Sequence, residues 1–193
     1  MAPIASTPEE IVNDVFALYE LHGDEDYIGE PVSQLEHMSQ AAMLARAEGF
    51  DDEVVLAAFF HDIGHLCAAG AEVGSMDGMG NIDHEKLGAE YLLARGFSPR
   101  LANLVNGHVI AKRYLTYKHP EYFEKLSPAS RATLNFQGGV MSAAEAAEFE
   151  QNPDAALIIR MRYWDDEAKL QNTPVNNIPY LKGIAIKHLQ GSL

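Results

Sequence analysis

The dipeptide His61-Asp62 closes the apolar run Val54-Val55-Leu56-Ala57-Ala58-Phe59-Phe60. Imidazole and carboxylate groups are both costly to desolvate, so their placement at the end of a core-forming segment requires something to satisfy them. A metal ion is one answer. Nitrogen and oxygen donors of this kind suit iron, manganese or zinc, and a carboxylate has two oxygens with which to bridge two ions. On the dipeptide alone, a structural His-Asp pair or a helix end that turns both side chains outward answers equally well. Further residues bear on the choice. His37 follows Leu35-Glu36, His84 follows Asp83, His108 follows Gly107, and Asp165 follows Tyr163-Trp164. Each stands beside apolar residues expected to face a core, and several buried imidazoles ask for a common explanation.

Helices are the elements that must position these groups. Thr7-Pro8-Glu9-Glu10 supplies an N-cap, a proline at N1 and an acidic first turn, ahead of apolar residues at helical spacing that end near Gly23. An acidic loop from Asp24 to Pro31 follows. Ser33 caps a predicted helix to about Glu48 that carries His37, and Asp51 caps another to His61 or beyond, closing near Gly70. A glycine-rich loop over 70–80 leads into a helix from about 82 to 95 bearing His84. Ser98-Pro99 starts one that reaches His108 and extends toward Tyr117. Ser127-Pro128 and Ser142 start helices near 128–136 and 142–150, on either side of Gln137-Gly138-Gly139. Helices over about 154–169 and 178–189 complete the set. No stretch alternates with a period of two between hairpin turns, so the expected fold is an all-α helical bundle.

A chain of 193 residues, 47% apolar and 22% charged, suits one domain over 1–193 with a substantial core. The formal charge of −14 argues against a general binder of nucleic acid or anionic membrane, which needs clustered Lys and Arg. A small anionic substrate needs only a few cations within a cleft. No apolar run approaches a membrane span, and MAPIASTPEE lacks the basic start and apolar stretch of a signal peptide, so a cytoplasmic location is expected. The single cysteine, Cys67, reads as small buried filler.

The ordered series His37, His61-Asp62, His84, His108, Asp165 resembles the HD-domain superfamily pattern. That resemblance implies an HD-domain helical bundle with a dinuclear metal site in its core: Asp62 bridges, His37, His61 and Asp165 complete one site, and His84 and His108 serve the other. Most HD proteins are phosphohydrolases, in which paired metals activate water. The segments around the ligands point to a smaller branch. Asp26-Tyr27-Ile28-Gly29-Glu30, His61-Asp62-Ile63-Gly64-His65, Gly107-His108-Val109-Ile110-Ala111-Lys112-Arg113-Tyr114 and Gln137-Gly138-Gly139 closely resemble the mixed-valent diiron oxygenases of the PhnZ/TmpB family, which cleave carbon–phosphorus bonds.

The resemblance implies two iron ions as Fe(II)/Fe(III), O2 as co-substrate and a small-molecule phosphonate as the partner. It implies substrate contacts at His65, Lys112, Ser130, Thr133, Gln137 and Arg162. Apart from it, Lys112 reads as a solvated lysine, His65 as a satisfied core histidine, Ser130 and Thr133 as an ordinary helix start, and Arg162 as a group that orients Asp165. Tyr27 and Glu30 are implied to form a lid, with the tyrosine on one iron until substrate displaces it. The acidic and aromatic loop offers acceptors for a primary amine as well as an aromatic face for a trimethylammonium group, with soft lining from Ser75 to Met79, and it is the resemblance of the whole sequence that implies the trimethylammonium. The expected substrate is therefore (1-hydroxy-2-(trimethylammonio)ethyl)phosphonate, giving glycine betaine and phosphate. The alternatives are 2-amino-1-hydroxyethylphosphonate giving glycine, a metal-dependent phosphohydrolase, and a non-catalytic protein stabilised by metal.

Overall fold

The computed structural model describes residues 7–27, 29–67 and 83–191. Among the described residues the chain is all-α, with helices α1 Pro8–His22, α2 Gln34–Ala47, α3 Asp52–Phe60, α4 Ile63–Cys67, α5 His84–Leu93 and α6 Pro99–Lys118, then α7 Pro120–Lys125, α8 Pro128–Thr133, α9 Ala143–Phe149, α10 Ala155–Glu167 and α11 Ile178–Leu189. A lone antiparallel bridge, Asp26 with Ser33, closes the acidic loop.

The expected caps form as drawn. Thr7 with Glu10, Ser33 with Glu36 and Ser142 with Glu145 make reciprocal capping boxes, each satisfying two backbone donors that have no partner within the helix. Asp51 and Ser98 cap α3 and α6. Every residue of α3 from Val54 to Phe60 is buried, and α2, α6 and α11 pack against it. Phe16 and Tyr19 of α1 stack on Phe59 with ring centroids 5.5 and 4.6 Å apart. Helix α10 crosses both α2 and α6, and at that crossing a Cβ on Gly107 would meet Ile158 Cγ2 at 2.7 Å. Only a glycine permits this approach, which brings α10 beside the face of α6 that carries His108.

Three elements depart from the sequence expectation. The helix predicted to run through His61 breaks there: α3 ends at Phe60, and α4 starts at Ile63. An unbroken helix would turn successive side chains about 100° apart, whereas the break lets His61 and Asp62 face one centre. The second departure is α7, in a segment for which no helix is predicted from the sequence, with Pro120 at its first position. Tyr122 and Leu126 nevertheless pack with Leu115 in a small satellite cluster. Third, α8 stops at Thr133 rather than near 136, and the chain turns through Gly138 and Gly139 at φ 94° and 70°. Cys67 is half-buried rather than buried. The glycine-rich loop over 70–80 and Ser75 to Met79 lie outside the described residues.

Helices α4 and α5 meet at Gly64, where an added Cβ would stand 1.8 Å from the carbonyl oxygen of His84. Backbone atoms cannot yield as side chains do, so Gly64→Ala forces α5 and its first residue, His84, away. Urea unfolding of the metal-free variant should show a loss of roughly 2–4 kcal/mol, together with reduced metal binding.

Candidate metal centre

Four imidazoles converge on one carboxylate. His37 from α2, His61 and Asp62 from the break after α3, His84 from the start of α5 and His108 from α6 are all buried. Asp62 turns one oxygen to each pair. Its Oδ2 lies 3.3 Å from His61 Nε2 and 3.6 Å from His37 Nε2. Its Oδ1 lies 3.2 Å from the Nε2 atoms of both His84 and His108. Within the pairs the Nε2 atoms stand 3.0 Å and 3.1 Å apart. Two metal–nitrogen bonds of about 2.1 Å at right angles span about 3.0 Å between their nitrogens, so both pairs have the spacing of neighbouring ligands on one ion. The two groups capable of holding a metal share Asp62.

The far side of three rings is anchored. Nδ1 of His37 donates to the Ala168 carbonyl at 2.9 Å, that of His61 to Ala58 at 2.8 Å, and that of His108 to Val105 at 2.9 Å. Donation from Nδ1 leaves Nε2 as the ligand atom and fixes the ring plane. Asp165 joins the first group through Oδ1, 3.4 Å from His37 Nε2. Its other oxygen accepts from Arg162 Nη1 at 2.6 Å. Burial would push both carboxyls up, but the imidazole His61 beside Asp62 and the Arg162 guanidinium beside Asp165 hold them well below the ordinary range. Burial pulls His37 down, yet its bonds to Asp165 and Asp62 outweigh that and raise it to about 9. With four nitrogens and two carboxylates, the donor set fits a pair of first-row metal ions.

A cavity opens on this cluster, and every expected substrate contact lines it. Lys112 is 2% exposed, so it is not a solvated lysine. Its ammonium donates to the Ser130 carbonyl at 3.2 Å and to Thr133 Oγ1 at 3.0 Å. Burial, reinforced by the Arg162 charge, lowers it to about 7. A buried ammonium held by neutral oxygens at a cavity wall favours an anion there. Arg162 is more committed to protein: it donates to Asp165, Asp166, Tyr122 Oη and Ser130 Oγ. That fits a group holding Asp165 and Ser130 in place. Gln137 Oε1 is buried without a hydrogen-bond partner among the described residues.

Rings cover the ligands on both sides. Tyr27 stacks on His37 with centroids 3.9 Å apart, and His65 on His84 at 4.0 Å. Burial and the charges of Asp62 and Asp165 raise the Tyr27 phenol well above its ordinary value, and burial with the neighbouring His84 lowers His65 to about 3. Glu30 forms an ion pair at 2.7 Å with Lys169. Lys169 and Gln34 also line the cavity, and both were missed in the sequence. Lys169 lies past the end of α10, so helical spacing from Asp165 carried no signal for it.

The HD domain family model matches residues 34–160, which include five of the six ligands and stop short of Asp165. The chain is 44% identical over 161 residues to the [1-hydroxy-2-(trimethylamino)ethyl]phosphonate dioxygenase (glycine-betaine-forming) of Leisingera caerulea, covering 82% of this chain and 80% of that protein. It is 39% identical over 175 residues to the hydroxymethylphosphonate dioxygenase of Gimesia maris, covering 91% and 86%. An uncharacterized protein of Acanthamoeba polyphaga mimivirus is 42% identical over 181 residues, covering 94% and 83%.

Metal content separates the two groups of ligands. The wild type should carry roughly two ions per chain, His84→Ala about one and Asp62→Asn almost none by elemental analysis. Metal binding also competes with the proton on His37. Its value is raised from 6.5 to about 9, so its protonation stabilises the metal-free fold fully below about pH 6.5, and that contribution is lost as pH rises through 9. At pH 7 metal uptake must expel this proton, so affinity should rise with pH up to about 9. Calorimetry in two buffers of different protonation enthalpy should register proton release.

Proposed function

We propose that this chain, which belongs to the HD-domain family that includes the phosphonate dioxygenases, uses O2 to cleave the carbon–phosphorus bond of a 1-hydroxyphosphonate, with two iron ions as cofactor. The observation that carries this reading is one carboxylate shared between two imidazole pairs, beside a buried lysine that no carboxylate neutralises at contact distance among the described residues. The finer proposal takes (1-hydroxy-2-(trimethylammonio)ethyl)phosphonate as substrate, with glycine betaine and phosphate as products. The balance needs no external reductant: the four oxidising equivalents of one O2 convert the hydroxyl-bearing carbon to a carboxylate, and phosphate takes the remaining oxygen.

An iron pair in the Fe(II)/Fe(III) state supplies the redox capacity for O2 and a Lewis acid for the substrate hydroxyl. His37, His61 and Asp165 would hold one ion, His84 and His108 the other, and Asp62 both. The chain's remaining groups then bind and orient. Lys112, Thr133 and Ser130 face the phosphonate oxygens, and Lys112, near neutrality when no anion is present, regains its full charge beside one. Arg162 keeps Asp165 ionised and Ser130 turned toward the cavity, while Gln137 offers an acceptor to the substrate hydroxyl. His65, held neutral, can hydrogen bond without adding charge. Tyr27 and Glu30 form the lid. With the tyrosine ring flat on His37, the phenol would shield the first metal position from water and oxygen until substrate shifts it off that position.

Iron-loaded protein given this substrate in air should release phosphate and consume about one O2 for each bond broken. Phosphate-ester hydrolysis that proceeds equally without oxygen, in place of this reaction, would identify a phosphohydrolase. Higher catalytic efficiency on 2-amino-1-hydroxyethylphosphonate would reassign the amine. Lys112→Met should raise KM for the phosphonate about 100-fold. Tyr27→Phe should change the iron spectrum before substrate is added and alter it much less afterwards.

A further inference from the structure

The cavity's cations divide by their partners. Lys112 and Arg162 point into the wall formed by Ser130 and Thr133, the end assigned to the phosphonate. Lys169 has different partners among the lining residues: its ammonium pairs with Glu30 at 2.7 Å and lies 5.9 Å from the centre of the Tyr27 ring. A carboxylate and an aromatic face are the two groups that best recognise an alkylammonium. Tyr27 is the one phenol or indole ring lining the cavity among the described residues. The protein's own ammonium therefore holds both positions that a substrate's cationic nitrogen would need.

The backbone keeps it there. The Ala168 carbonyl accepts from His37 Nδ1, and the Leu170 amide and carbonyl pair with the two ends of the Gln40 side chain, each at 3.0 Å. Lys169 is thus strapped on both sides to α2. Both members of its ion pair are mostly shielded, with side-chain exposures of 15% and 10%, so solvent screening weakens the pair little.

From this we propose that Lys169 is a specificity-determining residue, an internal counter-cation that a nitrogen-bearing substrate must displace from Glu30 and Tyr27 and that a nitrogen-free 1-hydroxyphosphonate leaves in place. The inference rests on the phosphonate reading of the site. It makes Lys169 a penalty on cationic substrates and a neutral bystander for hydroxymethylphosphonate. Loss of the lysine leaves Glu30 shielded without a counter-charge, which a substrate ammonium then supplies.

The test is anaerobic calorimetry of the iron-loaded protein with the trimethylammonium, primary-amine and nitrogen-free hydroxyphosphonates. In Lys169→Met, affinity for the two cationic compounds should rise about tenfold relative to hydroxymethylphosphonate. Lys169→Arg, which keeps the charge, should retain the wild-type ratio. Catalytic efficiencies on the three compounds should follow the same order, a change of ratio that general destabilisation does not produce. Binding with an unchanged ratio, or a ratio shifted toward the nitrogen-free compound, overturns the role of Lys169 and leaves the phosphonate reading intact. Failure of all three compounds to bind either protein overturns both.

Discussion

A carboxylate only 2% exposed, surrounded by four imidazole nitrogens at 3.2–3.6 Å, is the constraint around which this molecule is organised. Burial alone would force Asp62 to keep its proton, and the imidazoles prevent it. The imidazoles in turn come from α2, the α3–α4 break, α5 and α6, so satisfying one side chain fixes the relative placement of most of the bundle. The helix break at His61, the backbone-to-backbone contact at Gly64 and the packing of Ile158 onto Gly107 are local consequences. Each lets the elements approach closely enough for the ligands to meet.

Rigidity then passes outward through hydrogen bonds rather than through bulk. The anchored Nδ1 atoms tie three rings to carbonyls, and one of those carbonyls, at Ala168, belongs to the segment that presents Lys169. Arg162 joins Asp165, Asp166, Tyr122 and Ser130, linking α10 to α7 and α8. A shift of any of these helices would uncover a charge that the interior cannot solvate, which gives the centre a single low-energy arrangement.

The overall charge of −14 and the cationic character of the cavity are compatible because they act at different ranges. Surface charges are screened within about 10 Å at ordinary ionic strength, whereas Lys112 and Arg162 act across a few ångströms of low-dielectric interior. A strongly acidic protein can therefore present a site for an anion, provided its cations are buried and its surface carboxylates point elsewhere.

Much of this was legible in the sequence, because local rules govern it. Capping residues and 3.6-residue periodicity marked most of the helices, and polar groups embedded in apolar runs marked His37, His61, Asp62, His84, His108 and Asp165, since burial without a partner is too unfavourable to be accidental. Lys112 stood out through the family resemblance, since on its own it reads as a solvated lysine. Other features depend on pairs remote in the chain. His37 meets Ala168 across 131 residues, and Glu30 meets Lys169 across 139; no periodicity encodes either contact, because helix crossing angles set both. The same holds for the turn at His61, where local propensity favoured continuing the helix and the shared centre required a break. Local patterning along the chain already dictates which groups must be satisfied in the interior. Which oxygen faces which imidazole, and which partner each buried cation takes, are settled by packing between helices and not within them.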